Sequence, residues 1–370
     1  MRRSSETGGT QSEFLSHRQL VYRDFRKHKI ACVSLLVLLC FYMVVAFCEF
    51  FAPYSPQRRF PDRQHVPPQL LRFTDDAGRF HLRPFVYGLE EVFDQESWRY
   101  RYEPDTDDRY PIRFFVRGDE YKLWGLFRSS VHLFGTAQGG AVFLFGTDSL
   151  NRDLFSRIVY GTRVSLTIGL VGVCISLFLG LILGGISGLY GGVADTVIQR
   201  VIEILLSIPA IPLWMALSAA FPADWSPTVV YFSLTVILSL VTWTTLARVA
   251  RGKFISLRAE DYILAARVGG LSQMAVITRH MIPNFMSYIL VHATLAVPTM
   301  ILAETALSFL GIGLRPPVNS WGVLLQQAQS FQAVSIHPWL LIPGAFVVVA
   351  VLSFNFVGDG LRDAVDPHKK

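Results

Sequence analysis

Six stretches of this chain are long and apolar enough to cross a membrane, and they constrain the fold more than any motif does. A spanning helix needs roughly 20 mostly apolar residues. Residues 30–51, "IACVSLLVLLCFYMVVAFCEFF", carry no charge before Glu49. A second run starts near Val164 and stays uncharged to Ala194, and a third covers 196–221 with Arg200 and Glu203 in its first turns. Residues 228–247, 285–311 and 338–358 supply the fourth, fifth and sixth. The composition agrees: 51% of residues are hydrophobic and 17% charged, against about 25% charged in a soluble domain. The expected fold is an all-α polytopic membrane protein with six transmembrane helices.

Orientation follows from Lys and Arg in the short flanking segments. Arg2, Arg3, Arg18, Arg23, Arg26, Lys27 and Lys29 precede the first span. Arg248, Arg251, Lys253, Arg258, Arg267 and Arg279 lie between the fourth and fifth, and Arg362, Lys369 and Lys370 follow the sixth. The opposite loops are nearly free of basic residues: 222–227 has none and 314–336 only Arg315. Both termini are therefore expected in the cytoplasm, and the net charge of +6 reports orientation rather than nucleic-acid binding. The apolar run of the first span is too long for a cleaved signal peptide, which favours a retained helix. Cys32, Cys40, Cys48 and Cys174 all sit in apolar runs without a C-x-x-C pair or clustered histidines, so no metal site is expected.

The chain divides into a basic cytoplasmic segment (1–29), the first span (30–51), an extracytoplasmic insert (52–145), a permease-like core (146–358) and a cytoplasmic tail (359–370). The insert is rich in Arg, Asp and aromatic residues. "LLRFTDDAGRFHL" predicts a hairpin turning at Asp75-Asp76-Ala77-Gly78. "PIRFFVRGDEYKLWG" predicts a second turning at Arg117-Gly118-Asp119-Glu120. A small β-rich domain follows, serving either as a docking surface or as a cap over the spans.

Between the fourth and fifth spans, in the cytoplasmic segment 248–284, lies "AARVGGLSQMAVITRHMIP", residues 265–283. Read as a helix over 259–269, it places Tyr262, Ala265, Ala266 and Gly269 on one face. Gly269-Gly270 ends that helix. Residues 271–280 form a second short helix with Met274, Val276 and Ile277 available for contact, and Pro283 suits the first turn of the fifth span. The result is a projecting helix–turn–helix whose arginines would also suit lipid headgroups.

This stretch resembles the EAA loop of permeases from ATP-binding-cassette (ABC) importers: Ala265, Ala266, Gly270 and Pro283 fill the motif's places, with Leu264 where the family has Glu and His280 where many members have Ile. "LFGTDSLNRDLFSRIVYGTRVSLTIG" (144–169), "GLYGGVADTVIQRVIEILLSIPAIPL" (188–213) and "ILAETALSFLGIGLRPPVNSWG" (301–322) resemble the dipeptide, oligopeptide and nickel importers in order, with Asn151 replacing a usual Gly and Glu203 a common Asp. The resemblance is to the C-type permease of the pair. It implies a type I importer fold in a bacterial cytoplasmic (inner) membrane, one of two homologous permease subunits around a shared path. Two cytoplasmic ATPases would each receive an EAA helix in a groove, contacted here by Ala265, Ala266, Arg267, Gly269, Gly270, Met274, His280 and Pro283. An extracytoplasmic binding protein would deliver peptide or a similar solute. The chain has no G-x-x-x-x-G-K-[ST] phosphate loop, so it is not expected to be an enzyme, and ATP and Mg would be held by the partners.

Glu304, Pro298 and Pro209 are candidates for the path. An ionisable group at membrane depth is a functional hypothesis by default. Glu304 would hold a substrate amine or gate the outer mouth, or else reach to headgroups or pair with Arg315, which its depth favours. Pro209, Pro212 and Pro298 should kink their helices. Gly169, Gly172, Gly180, Gly184, Gly185 and Gly188 should allow close helix packing. Arg200 and Glu203 should pair along one helix, and His292 should be a packed residue. A self-sufficient channel or secondary transporter is the alternative. It predicts paired intramembrane charges or an inverted repeat, and neither is visible. An intramembrane hydrolase lacks a base near Ser308.

Overall fold

A computed structural model of the chain describes residues 17–95, 98–136, 140–222 and 224–365. Arg2, Arg3, Lys369 and Lys370, used above for orientation, lie outside the described residues. A short amphipathic helix, α1 (His17–Lys27), leads into α2 (Lys29–Ala46) and the single turn α3 (Cys48–Phe51). Four strands follow, β1 (Arg72–Thr74), β2 (Phe80–Asp94), β3 (Arg99–Leu123) and β4 (Phe127–Thr136), paired antiparallel in the order β1-β2-β3-β4. The helical body is α4 (Leu154–Tyr190), α5 (Gly192–Ser207), α6 (Ala210–Ala219), α7 (Pro227–Leu257), α8 (Asp261–Val268), α9 (Gln273–Val276), α10 (Ile282–Asn284), α11 (Met286–Phe309), α12 (Trp321–Leu325), α13 (Phe331–Ile336) and α14 (Ile342–Val365).

Among the described residues, five helices are long and apolar enough to span: α2, α4, α7, α11 and α14 with its leading 3-10 turn from Pro338. The third expected span is not one kinked rod. It is the pair α5 and α6, bent by 89°. Pro209 causes the break, because a residue before proline is pushed out of the helical region. Ile208 accordingly has φ −98° and ψ 129°, and Pro209 caps α6. Pro212 sits in the first turn of α6, where its missing N–H is harmless.

Helix α4 is the hub. Its Asp153 cap accepts from the Ser156 N–H at 2.7 Å, and Asn151 in the turn before it takes φ +61°, a left-handed conformation that Asn tolerates. The glycines do what their spacing predicts. A Cβ on Gly184 would lie 2.6 Å from the Ala247 carbonyl oxygen, and one on Gly188 2.7 Å from that of Arg251, so α4 and α7 pack backbone to backbone. Gly169 makes room instead for side chains of α11, with a Cβ there 3.0 Å from Ile301 and 3.2 Å from Val297. The main core joins Leu166, Ile168 and Val173 of α4 to Leu234 and Leu238 of α7, Met300 and Ile301 of α11, Trp321 of α12 and Phe354 of α14.

The sheet has a small core of Tyr54, Val86, Ile112 and Val142, and Phe134 of β4 meets Phe155 of α4 with ring centroids 5.5 Å apart. The β1–β2 turn falls at Asp75 to Arg79, with the Gly78 N–H donating to the Asp75 carbonyl at 2.9 Å. The second turn is displaced from the sequence expectation. Residues 118–120 form an irregularity within β3, between Arg117 and Tyr121, where Asp119 accepts from the Ser55 N–H and from Arg58. The chain reverses instead at Trp124 and Gly125, with φ +52° and +74°. Gly-Asp reads as a turn in sequence, but tertiary partners for Asp119 keep that segment in the strand.

Candidate functional site

The hairpin α8–α9 is built outward from a buried floor. Leu257 and Phe254 end α7 facing inward, and α8 restarts two residues after Ala259 with Asp261 in its first turn. Gly270 takes φ +83°, the left-handed position that lets the chain double back. Ser272 then caps α9 by accepting from the Ala275 N–H at 3.2 Å. A π-helical turn, Ile277–Met281, leads to α10. Pro283 lies in the first turn of α10 rather than of the fifth span, because Phe285 (φ −101°, ψ 3°) separates α10 from α11.

The faces of this hairpin are sharply divided. Ile263, Val276, Ile277 and Met281 are fully buried against Leu189 of α4, Leu246, Ala250 and Phe254 of α7, Phe285 before α11 and Ile289 of α11. Val276 and Ile277 are thus not available to a partner, contrary to the sequence reading; they root the hairpin. The outward face carries Tyr262 (41% exposed), Leu264 (45%), Val268 (90%) and Met274 (45%), with Ala265, Gly269 and Gly270 exposed between them. Ala266 turns partly inward onto the rooted cluster. Arg267 crosses to Gln273 on the other arm at 3.5 Å. His280 is partly exposed in the π-helical turn and Pro283 is exposed. Leu264 and Val268 form an exposed apolar pair that the sequence reading does not single out. Their signal was present, since two apolar residues four apart on a helix outside the membrane must face either a core or a partner.

The residues offered for the path do not converge. Pro209 is exposed at the α5–α6 bend, whereas Pro298 and Glu304 are buried inside α11. Glu304 neither reaches a headgroup nor pairs with Arg315. It is fully buried and accepts from Ser165 Oγ of α4 at 3.2 Å and Ser308 Oγ at 2.8 Å. Those hydroxyls accept in turn from the Trp321 N–H (3.1 Å) and the Leu314 N–H (3.0 Å). The carboxyl therefore ties α4, α11 and α12 together, and Ser308 is a strut in that knot. The tie was illegible because Ser165 lies far away in the chain.

Two further polar knots brace the ends of the bundle. At the end that carries the hairpin, Asp195 at the start of α5 accepts two bonds from Arg251 of α7, at 2.6 and 2.5 Å, and one from Ser187. At the opposite end, Asp148 is fully buried and pairs with Arg157, itself 1% exposed, and with Arg152 at 2.8 Å. Burial opposes ionisation of Asp148. The charges of Arg157 and Arg152 and the N–H groups of Arg152 and Leu150 outweigh it and hold the carboxyl below its ordinary range. Arg157 also donates to Asn319 at 2.8 Å, closing the knot onto the loop before α12. Arg200 and Glu203 form the expected exposed pair at 2.7 Å, and His292 stacks on Tyr288. Among the described residues, no cluster of His, Cys, Asp or Glu could hold a metal.

Residues 134–370 match the family described as binding-protein-dependent transport system inner membrane component. Residues 16–68 match the N-terminal TM domain of oligopeptide transport permease C. The oligopeptide transport system permease protein OppC of Haemophilus influenzae is 41% identical over 224 residues, covering 60% of this chain and 70% of that protein. The same-named protein of Escherichia coli is 42% identical over 224 residues, 60% and 72% respectively. The dipeptide transport system permease protein DppC of Alkalihalophilus pseudofirmus is 40% identical over 227 residues, 61% and 72%.

Proposed function

Because this chain belongs to the family of inner membrane components of binding-protein-dependent transport systems, we propose that it is the permease subunit of an ABC importer for oligopeptides or dipeptides. It forms half of the translocation path. The observation that carries this reading is the hairpin: an exposed apolar face on α8 and α9, mounted on a core shared with α4, α7 and α11. An ATPase subunit receives that face in a groove, the helix-in-groove mode of recognition. Since the inward face packs against three spans, displacement of the hairpin moves their cytoplasmic ends with it.

Helix length supports a partner in the cytoplasm over a resting place on lipid. Helix α7 has 31 residues, about 46 Å at ~1.5 Å per residue, against a hydrocarbon layer about 30 Å thick. Its last turns, and the hairpin beyond them, project past the membrane. The α5–α6 bend supports a second permease. It leaves backbone carbonyls at the end of α5 without helical partners, and Ile208 and Pro209 are exposed there. Irregular backbone at membrane depth is tolerated only where it is covered by protein or lines a water-filled cavity. A homologous subunit facing this bend supplies both, with the path between the two.

In this arrangement both termini and the hairpin lie in the cytoplasm, and the sheet lies outside, where a substrate-binding protein docks. ATP and Mg belong to the partner ATPases, and this chain supplies no cofactor site. Reconstitution in proteoliposomes tests the reading. Uptake of a labelled peptide is expected only when the second permease, both ATPases, the binding protein and ATP are present. Uptake by this chain alone would establish the channel or secondary-transporter alternative instead.

A further inference from the structure

The β3–β4 hairpin ends in "KLWGLFR", Lys122 to Arg128, and its tip touches the outer end of a spanning helix. Trp124 Nε1 donates to the carbonyl oxygen of Ala46, the last residue of α2, at 2.7 Å. The Trp124 ring lies 5.7 Å from that of Phe47. The depth of this contact follows from α2 itself. From Lys29 to Ala46 the helix has 18 residues, about 27 Å, close to the thickness of the hydrocarbon layer. Charge marks both limits: Lys29 at the inner end, and at the outer end Glu49 paired with Arg163 at 2.6 Å, where Arg163 also donates to the Val45 carbonyl. Trp124 thus stands at the outer membrane–water boundary, the level at which tryptophan is enriched in membrane proteins.

The tip also continues a lipid-facing surface. Leu36, Leu39, Met43 and Phe47 are exposed along one face of α2, and that stripe runs directly under the Trp124 ring. Beyond it, Trp124 (53% exposed), Leu126 (75%) and Phe127 (62%) are all exposed at the tip. Lys122 and Arg128 face each other across the strands just behind them. Trp124 holds φ +52°, a conformation costing a residue other than glycine about 1–2 kcal/mol. The hydrogen bond to Ala46 and the ring contact with Phe47 hold it there, and at an interface the exposed part of the ring is buried as well.

We propose that this hairpin tip is inserted into the outer interface of the bilayer and anchors the sheet to the membrane beside α2. Trp124, Leu126 and Phe127 lie among the headgroups and upper acyl chains, and Lys122 and Arg128 lie beside lipid phosphates. The anchor falls between the two family matches, which end at residue 68 and begin at 134. It rests on α2 crossing the membrane and on nothing about the transported solute.

Spin-label accessibility tests this in the full chain, in vesicles of phosphatidylethanolamine and phosphatidylglycerol, with the four native cysteines replaced by alanine. Nitroxides are placed at Leu126→Cys, at Met43→Cys in the lipid-facing stripe, and at Ala77→Cys in the β1–β2 turn. The label at 126 is expected to resemble that at 43, several-fold more accessible to oxygen than to a water-soluble nickel chelate, with the reverse at 77. Chelate accessibility at 126 equal to that at 77 would overturn the anchor. So would shielding at 126 from both reagents, which would mean that protein covers the tip. A water-like pattern at 43 would overturn both the anchor and the span beneath it.

Discussion

Val268→Asp is expected to weaken association of the chain with its ATPase partners by about 2–3 kcal/mol, roughly 30- to 150-fold, and to abolish most ATP-driven uptake. Val268 is 90% exposed, so the change costs the isolated fold nothing that burial would explain. In the proposed complex the same side chain would occupy a groove, where an unpaired carboxylate loses its hydration without compensation. Tyr262, Leu264 and Met274 remain, so binding is weakened rather than lost. Titration of the purified permease pair with ATPase subunits, before and after the substitution, measures this directly. Unchanged affinity would mean that the outward face of α8 is not the contact.

The second large effect is on folding. Arg157→Met is expected to destabilise the chain by about 3–5 kcal/mol, the usual cost of leaving a buried charge without its partner. Asp148 is fully buried and would keep Arg152, a long hydrogen bond from Gln327 and its backbone donors. Adding Asp148→Asn should recover part of the loss, because the orphaned charge then disappears. The melting temperatures of the single and double variants in detergent, compared with the parent, decide it. A double variant no more stable than Arg157→Met would show that the arginine acts through Asn319 and packing, not through the ion pair.

Both predictions depend on features that differ in how legible they were in the sequence. The spans were visible because each must be apolar over its whole length, whatever it packs against. The glycines of α4 were visible for a similar reason: a close backbone approach leaves room for nothing else, as Gly184 and Gly188 show against α7. Gly270 marked the hairpin turn because a positive φ selects glycine. Spacing did not reveal which side of each short helix faces inward. Val276 and Ile277 read as contacts, yet their neighbours are Phe254 and Phe285, supplied by the flanking helices. One partner of Glu304, Ser165 of α4, comes from a distant segment, and no local pattern encodes that pairing. The 89° break is a further case. Proline announced a disturbance, but its angle depends on how α6 packs against α7. In the sheet, Asp119 found Ser55 and Arg58, and that long-range capture moved the turn to Trp124.

The central claim is mechanical: the outward face of the α8–α9 hairpin meets a nucleotide-driven subunit, while its inward face moves α4, α7 and α11. A photo-cross-linking amino acid at position 268, activated in the assembled transporter in its native membrane, tests it most directly. The account predicts a cross-link to an ATPase subunit whose yield changes when ATP is added. Cross-links to lipid alone, or to no protein at all, would contradict it.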